Sequence, residues 1–117
     1  MKILAINPGS TSTKIGVFYD EELITHNTIR HKPEELAHFA DAMEQFDYRR
    51  QLVLETLEAD GIPFDFDVIV GRGGLVKPVE GGVYEVNEAL YNETKHAMCK
   101  HACNLGSLIA DSLAHQL

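Results

Sequence analysis

An α/β fold built on a mixed sheet is predicted by three observations. Strand-length apolar runs joined by short polar turns open the chain, a helical apolar period replaces them after Pro33, and an unbroken run of β-branched residues, Val68-Ile69-Val70, follows and ends in glycine. Strands first, then a helix–strand–helix succession, is the order expected when an antiparallel meander is extended by a parallel strand.

The elements follow in order. Lys2–Ile6, Thr13–Tyr19 and Glu22–Ile29 read as strands, with Asp20-Glu21 as a tight polar turn between the second and third. Pro33 suits a first helical position, Glu34 and Glu35 complement the helix dipole, and Leu36, Phe39, Ala40 and Met43 recur at helical spacing to form one core-facing stripe. A second helix is expected from about Asp47 to Ala59, closed by Asp60-Gly61 and Pro63. Phe66–Val70 reads as a short strand buried on both faces, and Val83–Val86 as a short extended stretch. Asn87 and Asn104 are expected to cap two further helices, running to about Met98 and to Leu117. No repeat, low-complexity segment or linker divides the 117 residues.

Composition narrows the function. A formal net charge of −8, from 10 Lys and Arg against 18 Asp and Glu, argues against a nucleic-acid surface. An anionic ligand would therefore be held by local donors rather than by a global field. No apolar run approaches the ~20 residues of a membrane span, and only four apolar residues follow Lys2, too few for a secretory leader. The expectation is a cytoplasmic protein without membrane partners. His96, Cys99, His101 and Cys103 form a local cluster, but structural zinc sites draw ligands from two separated elements, so these read as ordinary helix residues.

The chemistry is expected at three places. Asn7-Pro8-Gly9-Ser10-Thr11-Ser12-Thr13-Lys14 puts an amide, four hydroxyls and a lysine on a turn between two strands. Backbone N–H groups and hydroxyls can cradle a phosphate while the lysine adds a point charge. Pro8-Gly9 is expected to supply the reversal. The spacing is not that of a Walker loop, which needs two glycines and opens a helix. Gly71-Arg72-Gly73-Gly74 places a guanidinium at the carboxyl end of a strand, where ligands bind in open α/β sheets and where its planar fork can grip a carboxylate or phosphate. His101 precedes a predicted helix start and could present a ring nitrogen. No Ser-His-Asp set can be assembled, and no carboxylate stands out as a general base.

These stretches carry a resemblance. Ile6–Lys14, Val70-Gly71-Arg72-Gly73-Gly74-Leu75, Glu80-Gly81-Gly82-Val83-Tyr84-Glu85-Val86-Asn87 and His101-x-x-Asn104-Leu105-Gly106 together resemble the acetate and butyrate kinases, with the second and third favouring the butyrate and branched-chain members. The resemblance implies an actin-like ATPase fold, with a ribonuclease-H-like domain at its core. It also implies reversible phosphoryl transfer between ATP and a short-chain carboxylate such as butyrate or a branched analogue, with Mg2+, in a homo-oligomer. Residue by residue, it assigns Asn7, Ser10, Ser12 and Lys14 to the first phosphate turn, Asn7 also to the metal's vicinity, and Arg72 and His101 to the catalytic centre. The family's histidine motif is only partly matched by His101-Ala102-Cys103-Asn104. Such kinases are roughly three times this length, as two domains require. Residues 1–117 are thus expected to be the N-terminal domain, truncated, of a two-domain enzyme and inactive alone. A sugar or polyol kinase fits less well, because a neutral hydroxyl acceptor needs no guanidinium. A non-catalytic anion-binding or assembly module of the same fold is the alternative.

Overall fold

The computed structural model describes residues 1–72, 82–95 and 104–117. Three strands, β1 (Lys2–Pro8), β2 (Ser12–Tyr19) and β3 (Glu22–Arg30), form an antiparallel meander, and β4 (Val68–Gly71) adds to β1 in parallel. The sheet order is β3-β2-β1-β4, a mixed sheet as predicted. The tight turn at Asp20-Glu21 is also found; Asp20 takes a left-handed φ of 54° and its carboxylate receives the amino terminus at 2.7 Å. Asp67 sets the register of β4, its carboxylate and amide bonding the amide and carbonyl of Lys2.

Alternation in the strands decides which face carries the core. Leu4 and Ile6 of β1 stand opposite Val17 and Ile15 of β2, and all four are buried. Two helices cover this face: α2 (Phe46–Ala59), through Val53 and Leu57, and α4 (Leu105–Gln116), through Leu105, Leu108, Ile109 and Leu113. Arg50 of α2 donates to the Ser112 hydroxyl of α4 at 2.8 Å, tying the two helices together. α2 ends as predicted, with Gly61 at a positive φ of 69°.

Three expectations are corrected. The stripe Leu36–Met43 is not one helix: α1 spans only Pro33–Leu36, and a separate 3₁₀ turn covers Ala42–Gln45. The break arises because Asp41 caps the second turn by accepting from the Glu44 amide, while Glu44 reaches back to the Ala40 amide. Phe39 instead stacks on Tyr48 and Met43 packs on the core. β4 is not buried on both faces; it begins at Val68, at the edge of the described sheet, and Val68 and Val70 are exposed on the side away from α4. Residues 83–86, expected only as an extended stretch, join no described strand, and Val83 is 97% exposed. Asn104 occupies the N-cap position of α4 but makes no cap hydrogen bond; it is buried and its amide donates to the Thr94 carbonyl. Asn87 does cap α3 (Glu88–Lys95), accepting from the Leu90 amide at 2.9 Å. The cluster His96, Cys99, His101, Cys103 lies outside the described residues.

Candidate functional site

The hydroxyl-rich segment is a hairpin turn between β1 and β2. Pro8 pairs with Thr13, and the Gly9 amide donates to the Ser12 carbonyl at 2.7 Å, so Ser10 and Thr11 form the tip. Gly9 does not take a left-handed φ, and a Cβ there would meet only ordinary contacts at 3.5 Å. The reversal therefore does not depend on glycine, contrary to expectation.

What holds the turn comes from elsewhere. Arg49 lies on the same helical stripe as Val53 and Leu57, at successive four-residue steps, and is fully buried. Its Nη2 donates to the Ser10 carbonyl at 3.2 Å, Nη1 to the Ser12 carbonyl at 3.0 Å and the Thr13 hydroxyl at 3.2 Å, and Nε to Gln45 at 2.9 Å. No described carboxylate pairs with it. The charge is neutralised by oriented carbonyls and hydroxyls instead, and burial pushes its pKa below the ordinary arginine value.

The network continues through Thr13 to His31, whose Nε2 lies 2.8 Å from the Thr13 hydroxyl. Because that hydroxyl already accepts from Arg49, its own proton is best used toward Nε2, which makes the ring a neutral acceptor with the proton on Nδ1. Nδ1 is buried and has no partner among the described residues. Burial first, and the neighbouring Arg49 charge second, lower the His31 pKa to about 4, against the opposing pull of Glu35. The His31 amide holds the remaining tip carbonyl, that of Thr11, at 2.9 Å. Tyr48 packs on the His31 ring at a centroid distance of 5.3 Å and donates to Glu35 at 2.5 Å; burial and that carboxylate push its pKa up to about 12.

The second half of the site is the end of β4. Ile6 pairs with Gly71, and the Arg72 amide donates to the Ile6 carbonyl at 2.9 Å, which holds the Arg72 backbone beside Ile6 and Asn7. The start of α4 presses directly on this strand end. A Cβ on Gly71 would lie 2.2 Å from the Gly106 carbonyl oxygen, and one on Gly106 would lie 2.3 Å from that of Arg72. The glycines thus let two backbones touch.

Asn7 and Lys14 are register partners and share a sheet face with Ala5 and Val70; one more step of the alternation puts Arg72 on that side. Asn7 and Ser12 are half-buried, while Ser10, Lys14 and Arg72 are exposed. Their side chains make no hydrogen bond or ion pair among the described residues. The structure therefore gathers five of the six predicted residues at the carboxyl ends of β1 and β4; His101 lies outside the described residues. Sequence reading missed Arg49 and His31, and counted Thr13 among the turn hydroxyls rather than in this buried network. A charged residue in register with an apolar helical stripe was the available signal for Arg49; nothing local marked His31.

No family model matches the chain. Over 117 residues, all of this chain, it is 58% identical to a protein named "Probable butyrate kinase" from Bacteroides thetaiotaomicron. Over 116 residues it is 47% identical to a protein of the same name from Phocaeicola vulgatus. The chain matches the N-terminal third of both proteins. It spans 33% of the length of each of these curated relatives. The expected resemblance is thus met along the whole chain, and the hairpin and the β4 end both fall inside the butyrate kinase match. No described helix is long and apolar enough to cross a membrane.

Proposed function

We propose that this chain supplies the first phosphate turn and the carboxylate-binding arginine of a butyrate-type kinase, whose whole protein transfers a phosphoryl group reversibly between ATP and butyrate or a branched short-chain acid. In this reading residues 1–117 form the N-terminal, ribonuclease-H-like part of a two-domain enzyme of actin-like architecture. The observation that carries it is the placement of the Arg72 backbone against Ile6 and Asn7, so that hairpin and guanidinium share one end of two adjacent parallel strands.

The chemistry follows from that juxtaposition. A carboxylate oxygen must attack the γ-phosphorus while the bond to the bridging oxygen of ADP breaks, and the two reactants are both anions. The main task is positioning and charge neutralisation. Ser10, Ser12 and Lys14 donate to the phosphates, and Arg72 draws the carboxylate against the transferring group. His101, by resemblance, adds a polar contact at the same centre. The Asn7 amide oxygen, a hard donor, would help hold Mg2+, which would supply charge neutralisation at the phosphates.

The test joins this chain to the remaining two thirds of the Bacteroides thetaiotaomicron relative and traps acyl phosphate from ATP and butyrate as the hydroxamate. The chimera is expected to turn over, the 117 residues alone are not, and Arg72→Ala should lower kcat/KM by about 10²-fold. A folded, ATP-binding chimera that forms no acyl phosphate overturns the reading, and an unaltered Arg72→Ala profile overturns the role of that residue.

A further inference from the structure

The polarity of the hairpin tip has a structural source. All three carbonyls from Ser10 to Ser12 are engaged from the protein side: Ser10 and Ser12 by Arg49, Thr11 by the His31 amide. In a planar trans peptide the C=O and the following N–H point in opposite directions. Holding the Ser10 carbonyl inward therefore turns the Thr11 N–H outward. The amides of Ser10 and Thr11 have no backbone acceptor among the described residues. The tip thus turns the Thr11 N–H to solvent while its carbonyls are held from the protein side, the polarity an anion-binding nest requires. A hairpin tip left to itself would sample several peptide orientations, some of which aim carbonyl oxygens at an incoming phosphate.

We propose that Arg49 is a positioning residue for the phosphate turn: by gripping the Ser10 and Ser12 carbonyls from beneath, its guanidinium fixes the peptide planes of the tip and locks the Thr11 amide toward the anion. Arg49 is fully buried and cannot itself touch the nucleotide. It is a cation that improves anion binding through the orientation of intervening peptides, and its three engaged nitrogens leave a lysine unable to replace it in full. The proposal rests on the reading of the hairpin as a phosphate site, and the experiment separates the two.

Titration of the isotopically labelled 117-residue chain with inorganic pyrophosphate, without magnesium, reads the Ser10 and Thr11 amides directly by NMR. Saturable shifts at these two amides are expected in the parent chain. Their absence at the highest soluble concentration overturns the phosphate-site reading and the clamp with it. Arg49→Gln is expected to weaken the pyrophosphate response about tenfold through lost preorganisation, and Arg49→Lys to fall between the two. Thr13→Val disturbs the same buried network yet leaves both carbonyls on Arg49; it is expected to lower stability while keeping the response within about twofold. A parent-like response in Arg49→Gln overturns the clamp alone. Equal losses in Thr13→Val and Arg49→Lys, with Arg49→Gln unfolded, also overturn it, because general destabilisation then accounts for the effect.

Discussion

The two halves of the site are held in opposite ways. The hairpin tip is fixed by a buried polar chain, Gln45–Arg49–Thr13–His31, in which oriented donors and acceptors do the holding. The end of β4 is fixed by the absence of side chains: Gly71 and Gly106 let a strand and a helix start meet backbone to backbone. One region is sensitive to charge and protonation, the other only to volume. The hairpin can therefore be weakened in steps, whereas the β4 end should fail at the first added carbon.

The largest effect is expected where volume decides. Gly71→Ala places a carbon 2.2 Å from a backbone oxygen that cannot turn aside, and should cost about 3 kcal/mol or more in chemical denaturation. A loss below about 1 kcal/mol would show that α4 can slide, and the contrast between the regions would collapse. Next comes Arg49→Met, which leaves the Ser10 carbonyl and the Thr13 hydroxyl without the Arg49 donor and the Ser12 carbonyl with the Gly9 amide alone, and is expected to cost about 2 kcal/mol.

A pH series sharpens the comparison, since only the hairpin side contains a buried histidine among the described residues. His31 has a pKa lowered from 6.5 to about 4 in the folded chain. The unfolded chain binds the proton first, so the contribution of His31 is full above pH 6.5 and is lost as the pH falls toward 4. His31→Gln should flatten the stability profile in that window, measured by urea midpoints; an unchanged slope would mean the imidazole is not held neutral. The smallest effect is expected for Gly9→Ala, whose new carbon meets only contacts at 3.5 Å. Its stability should stay within about 0.5 kcal/mol of the parent, so any fall in its pyrophosphate response reports crowding of the anion itself.

Much of this was legible before any coordinates. The meander, its Asp20-Glu21 turn, the helix closing at Gly61 and the Asn87 cap are all local in origin: two-residue alternation, turn residues and a capping side chain act within a few positions of themselves. The stripe Leu36–Met43 misled because a local capping pair, Asp41 and Glu44, outweighed the apolar period. The depth of β4 misled because an unbroken apolar run does not state how many faces are covered.

By itself, then, the chain order of apolar and turn residues determined the mixed α/β sheet, and the hydroxyl and Gly-Arg stretches determined which donors are available to an anion. Only the tertiary structure decided that Arg49, 39 residues beyond Ser10 in the chain, would lie under the turn, and that Gly71 and Gly106 would face each other. The physical reason is that periodicity and capping are encoded between near neighbours. The partner of a buried guanidinium, or of a side chain that is missing, depends on which elements the sheet register and helix packing bring together.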